Sequence, residues 1–166
     1  MDKEATMAKE LNKKVSMVVM SGDFDKLFAS FIIATGAAAT GNDVTMFFTF
    51  WGLRAVKKKM PTGKTLFGRM VGMMYGGDIN RATPSKFSFG GIGRWMFKKM
   101  MKNRGVASLP DLRQTAIDLG VHLYACQMSM DVMEIPKEAL IDDLEACVGA
   151  GFFIEQAANS DFTLFI

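Results

Sequence analysis

The chain has 166 residues, a net charge of +3, fifteen methionines and two cysteines. That length suits one domain with a real core, here read as a single unit over residues 1–166. The cysteines form no CxxC pair, which argues against a cysteine-built zinc or iron–sulfur site, and no apolar run reaches the roughly 20 residues of a spanning helix.

Residues 1–13 read as a flexible or helical arm with no apolar signal core, so the expected setting is cytoplasmic and reducing, with both thiols free. "KVSMVVMS", residues 14–21, reads as a buried strand ended by Gly22 and Asp23. Residues 24–39 read as a helix with Phe24, Leu27, Phe28, Phe31 and Ile32 at helical spacing. "TGND" is a turn, and "VTMFFTF", residues 44–50, is a second buried strand. Two strands joined by such a helix make a right-handed βαβ unit. "WGLRAVKKKMP" is a short helix or loop stopped by Pro61.

A basic Met- and Gly-rich insert follows, from about residue 58 to residue 107. Between Arg54 and Arg104 stand thirteen Lys or Arg and one acid, Asp78, for +12; the rest carries −9. Its last part, "IGRWMFKKMMKNRG", reads as a helix with Ile92, Trp95, Met96 and Met100 on one face. The mixture of Phe67, Met70, Met73, Met74, Trp95, Met96 and Phe97 with cations suits a partner or subunit contact, or an amphipathic element at a membrane surface. The aromatics form no regular stacking platform, so nucleic acid is not expected.

"SLPDLRQTAIDLG" opens with Ser108 as N-cap and Asp111 as capping-box partner, turns Leu112, Ala116 and Leu119 to the core and ends at Gly120. "VHLYAC" is strand three, "QMSMDVM" a short helix, and "PKEALIDDL" another opened by Pro136. "EACVGAG" holds a short fourth strand, "GFFIEQAANS" a helix and "FTLFI" a fifth strand. This alternation implies an α/β fold, with a parallel five-stranded sheet, helices on both faces and functional groups at the carboxyl ends of the strands.

Cys126 ends strand three, where free N–H groups of the next helix favour a thiolate. It reads equally as a small apolar residue packed at a strand end. Cys147, among Ala146, Val148 and Gly149, reads as core. His122 is the only histidine and lies four residues before Cys126, about 13 Å along a strand, too far for a Cys–His dyad. A metal site is not expected, and "SGDFDK", "GGDIN" and "GGIGRW" match no nucleotide-binding pattern, so no cofactor is expected.

Four stretches carry a family resemblance: residues 17–53, the insert with "GGIGRWMFKKMMK", "LYACQMSMDVM" and "GFFIEQAANSDFTLFI". "FFTFWGL" and "ACQMSMDVM" are the specific parts. The chain resembles the DsrE/DsrF/DsrH-like sulfur-carrier superfamily, closest to its DsrE-like subgroup, sometimes labelled peroxiredoxin-like. No peroxidatic threonine-and-cysteine pattern surrounds Cys126, so that label is set aside. The resemblance implies a three-layer α/β/α sandwich, an oligomer and a sulfur relay. In that relay Cys126 takes a sulfane sulfur as a persulfide and passes it to a reactive thiol on a partner protein. Some relatives in the subgroup carry membrane-spanning segments; here a soluble homo-oligomer is expected.

On this reading the backbone N–H groups of Gln127, Met128 and Ser129 stabilise the persulfide. Phe50 and Trp51 wall the site, with Ser21 and Gly22 on the opposite edge. Two other classes stay open: a non-catalytic adaptor using the basic insert, and a small-anion-binding α/β module.

Overall fold

The computed structural model describes residues 13–74, 77–86 and 89–166. The expected arm at residues 1–13 lies almost wholly outside them. Five strands form one sheet: β1 (Lys14–Val19), β2 (Asp43–Phe48), β3 (His122–Cys126), β4 (Ala146–Val148) and β5 (Phe162–Phe165). Their order is β4-β3-β2-β1-β5, and every pairing is parallel. The chain steps from β1 to β4 in one direction, then crosses the sheet to lay β5 beside β1.

Alternation of side chains decides what each face holds. Val15, Met17, Val19, Val44, Met46, Phe48, Leu123 and Ala125 point to one face and form the main core. Helix α1 (Phe24–Ala39) covers that face, with its Phe31 ring 6.1 Å from the Phe48 ring. Two helices of the insert, α2 (Leu66–Met74) and α3 (Ile92–Asn103), come next in the chain, followed by α4 (Leu109–Asp118), which packs along α1. A short helix α5 (Gln127–Val132) follows β3, and α6 (Ala150–Ala158) follows β4. Helix α6 covers the other face, where Phe153 stacks on Phe47 at 5.3 Å and Phe152 meets Tyr124 at 4.6 Å. The expected three-layer α/β/α architecture is therefore present.

Several local expectations change. Strand β1 ends at Val19, and β2 ends at Phe48 because Phe50 turns to φ 43° and starts a 3-10 helix over Phe50–Val56. "PKEALIDDL" forms one 3-10 turn, Lys137–Ala139, rather than a helix. Its backbone is captured elsewhere: Ile141 N–H donates to Val56 O, and Lys58 N–H donates to Ala139 O. Ile32 is exposed on α1, and Leu119 is exposed because α4 has already ended; Val121 is buried instead. The Ser108–Asp111 capping box is present, an arrangement worth about 1 kcal/mol. The helix α2 has no counterpart among the sequence expectations, since Gly68 and Gly72 break its apolar periodicity.

Two contacts tie the loops to the sheet. Gly52 sits so close to β1 that a Cβ there would lie 2.0 Å from Val19 O, while its N–H donates to Met20 O and Thr49 O. Glu134, at φ 50°, caps α2: its carboxylate accepts from Lys64 N–H, from Thr65 N–H at 2.8 Å and from the Thr65 hydroxyl at 2.5 Å.

Gly52→Ala is expected to destabilise the protein by about 1–3 kcal/mol in denaturant unfolding, because a packed backbone must move. A change below about 0.5 kcal/mol would mean the loop yields freely. The Thr65 hydroxyl and N–H, with Lys64 N–H, hold the Glu134 carboxyl below its ordinary range. Its contribution is thus complete at neutral pH and disappears as pH falls through that lowered value. The protection factors of the α2 amides, measured against the intrinsic exchange rate at each pH, should fall in acid, and Glu134→Gln should remove this pH dependence.

Candidate functional site

The carboxyl ends of all five parallel strands share one edge of the sheet. Register aligns Phe48 with Ala125, so the next residues along, Thr49 and Cys126, leave the sheet side by side. Thr49 is anchored by its N–H donating to Val19 O. Beyond Cys126 the chain turns into α5, and Ser129 brings its hydroxyl back within 2.8 Å of the Thr49 hydroxyl. Both residues are buried, as is Cys126, which is 2% exposed.

Burial pushes the Cys126 thiol pKa up, but hydrogen bonds outweigh it. The Ser129 hydroxyl, Ser129 N–H, Thr49 hydroxyl and Met128 N–H together bring it below the ordinary thiol value. The thiol is not itself a side-chain cap of α5. These groups therefore act chiefly by favouring the anion. A buried hydroxyl pair can satisfy itself with one bond and still leave the second O–H to donate to sulfur.

The expected site residues fall at this edge in different roles. Met128 and Ser129 direct N–H groups at the Cys126 sulfur; Gln127 is not among the groups acting on it and donates its side chain to Asp131 at 2.8 Å. Phe50 and Trp51 are partly exposed just after Thr49. They line a narrow crevice with Leu53, Lys57 and Met133, with ≈ 20 Å³ open, about one water. Ser21 accepts from Asp23 N–H, and Gly22 is buried with its carbonyl accepting from Arg54 Nη1 at 3.4 Å. Both belong to the β1 end, on the far side of β2 from Cys126.

Thr49 and the Ser129 side chain are additional members of this set. Thr49 is the polar residue closing an apolar strand, and Ser129 stands three residues after Cys126, the spacing at which a side chain meets a helix-start residue. Their pairing across eighty residues has no local signal.

The other candidates lie apart. Cys147 is paired in register with Ala125, so it shares the core face and not the Cys126 face; both cysteines are free. Burial pushes the Cys147 thiol up, against a weaker pull from Lys137. His122 is at the amino end of β3, with Nδ1 2.8 Å from Glu145 Oε1 and Nε2 3.5 Å from Asp43 Oδ1. It joins β2, β3 and the start of β4 rather than serving Cys126. Among the described residues, no cluster of His, Cys, Asp and Glu could hold a metal ion, and no helix is long and apolar enough to cross a membrane.

The rate of Cys126 alkylation against pH should titrate below the ordinary thiol range. Thr49→Val and Ser129→Ala should each move that midpoint upward, and the double variant furthest. An unchanged midpoint in the double variant would remove the hydroxyls from the site.

The solved structure of the ychN protein from E. coli shares this fold, with a TM-score of 0.54 at 11% identity, covering 93% of this chain and 99% of that one. The chain is 38% identical over 159 residues to the uncharacterized protein YrkE of Bacillus subtilis, covering 95% of this chain and 99% of that protein. It is 37% identical over 160 residues to the sulfur carrier protein DsrE2 of Allochromatium vinosum, covering 93% and 98%. A model of the DsrE/DsrF/DrsH-like family matches residues 11–165. With this nearly full-length match and these identities, the chain belongs to the DsrE/DsrF/DrsH-like family.

Proposed function

We propose that the protein is a sulfur carrier that holds sulfane sulfur as a persulfide on Cys126 and relays it to a partner thiol. The observation that carries this reading is a thiol 2% exposed whose hydrogen-bond partners still lower its pKa. A cysteine held by packing alone would meet only burial, which raises a thiol pKa. The likeness to a protein named as a sulfur carrier supports the same reading.

The chemistry is displacement at sulfur. The Cys126 thiolate attacks the outer sulfur of a donor persulfide, R–S–S⁻. The donor S–S bond breaks, a Cys126–S–S⁻ bond forms, and R–S⁻ leaves with the electron pair. In the second step a partner thiolate attacks the outer sulfur, the new S–S bond breaks, and Cys126 leaves as a thiolate. The N–H groups of Met128 and Ser129 and the hydroxyls of Thr49 and Ser129 stabilise the anion in each state. The added sulfur extends the reactive atom by about 2 Å. That reach matters because the Cys126 sulfur itself is buried, while Phe50, Trp51 and Met128, close in the chain to its hydrogen-bond partners, are exposed. A reducing compartment suits this role, since Cys126 must stay free. Exposed Ile154, Phe162 and Phe165, on α6 and β5, suit contact with a second copy.

Intact-mass measurement after incubation with a low-molecular-weight persulfide tests the proposal. One added sulfur, about 32 Da, should appear and be lost on treatment with thiol. Cys126→Ser should abolish the gain and Cys147→Ser should keep it. The reverse pattern would move the function to Cys147. No gain in the native protein, with slow Cys126 alkylation, would favour a scaffold role in which Cys126 is only packing.

A further inference from the structure

The helices of the basic insert are built inside out. In α2 the inward side is Gly68, Gly72 and the half-buried Val71: a Cβ on Gly68 would strike the Glu134 carboxylate, one on Gly72 would strike Thr62 O, and Val71 lines the crevice beside Phe50 and Trp51. The large side chains point away, with Leu66, Phe67 and Met73 exposed by 81, 74 and 78%. Helix α3 repeats the arrangement. Gly93 is buried, Phe97 packs edge-on against Phe24 at 6.1 Å, and Met101 reaches the core. Ile92, Trp95, Met96 and Met100 occupy the opposite arc, about 140° wide on a 3.6-residue helix, and all four are exposed.

Lys99 stands within this arc, between Trp95 and Ile92, with its ammonium 5.0 Å over the Trp95 ring, and Lys102 and Lys98 border the Trp95 side. Such side chains lay their stems along apolar surface and keep their charge in water. The segment from Arg54 to Arg104 carries +12 with Asp78 as its one acid. Pairing with the insert of a second copy would bring two such charges together, which is unfavourable. Protruding Leu, Phe, Met and Trp side chains suit a fluid interface, whereas a protein surface must supply a matching hollow for each.

We propose that α2 and α3 dock on the surface of an anionic lipid bilayer, with their apolar faces among the headgroups and their cations against lipid phosphates. They lie on the surface rather than cross it: α2 has 9 residues and α3 has 12, against the roughly 20 a crossing helix needs.

The test uses the full chain carrying Trp51→Phe, which leaves Trp95 as its one tryptophan. Flotation with phosphatidylcholine vesicles, with and without phosphatidylglycerol, should show recruitment at least about tenfold stronger to the anionic vesicles. Trp95 emission should shift to the blue with them, and added salt should weaken binding. Leu66→Ser with Phe67→Ser, or Trp95→Ser in the otherwise native chain, should reduce recruitment; all three side chains are exposed, so the fold should hold. Equal binding to both vesicle types, no binding to either, or full binding by the serine variants would overturn the proposal. Self-association that these substitutions abolish, without vesicle recruitment, would assign the faces to a second copy instead.

Discussion

The parallel register between β2 and β3 is the constraint on which the site depends. It sets Phe48, the last residue of β2, against Ala125, so that Thr49 and Cys126 come next as neighbours. Everything around Thr49 preserves that alignment. Its N–H is fixed to Val19 O, Phe50 takes a left-handed backbone, and Gly52 lets the 3-10 turn fold against the end of β1. A left-handed non-glycine residue is costly by about 1–3 kcal/mol and persists only where surrounding packing holds it. Here that packing is the junction of β1 and β2.

Two cysteines on adjacent strands show how one residue type acquires two characters. Both are taken partly out of water, which by itself favours the neutral thiol. Cys147 meets little to oppose this, and its pKa rises. Cys126 meets two hydroxyls and two N–H groups, and its pKa falls. The difference lies in the donors aimed at the sulfur rather than in the depth of burial. Because side chains alternate along a strand, the two thiols also point to opposite faces of the sheet and so meet different neighbours.

The insert is coupled to this edge by Glu134, two residues beyond the end of α5. Its carboxylate holds the start of α2, so the segment that carries Cys126 and Ser129 into α5 also anchors the basic helices. Beyond that anchor the insert is held by Ile79 and Ala82 in the core, by Ser85 bonding the Asp25 carboxylate, and by Phe97 and Met101 packed against the core. Helices α2 and α3 nonetheless keep Leu66, Phe67, Met73, Ile92 and Trp95 outward, in contrast to α1, whose Phe24, Leu27 and Phe31 face the core.

What the sequence alone determined is local in origin. The five strands, the α1 and α4 helices, the Ser108 cap and the place of Cys126 at a strand-to-helix junction all follow from periodicity, capping and turn residues within short windows. Local signals also misled where a distant partner intervened: "PKEALIDDL" has helical composition, but Leu140 bridges in an extended form to Lys57, and its neighbours Ala139 and Ile141 bond to Lys58 and Val56. The apolar stripe of α3 was legible, but not which way it faced, since a helix reads the same whether its stripe meets a core or another surface. Only the tertiary structure decided what surrounds the thiol. Thr49 and Ser129 are eighty residues apart in the chain and 2.8 Å apart in space. Strand register, a long-range property, brought them together.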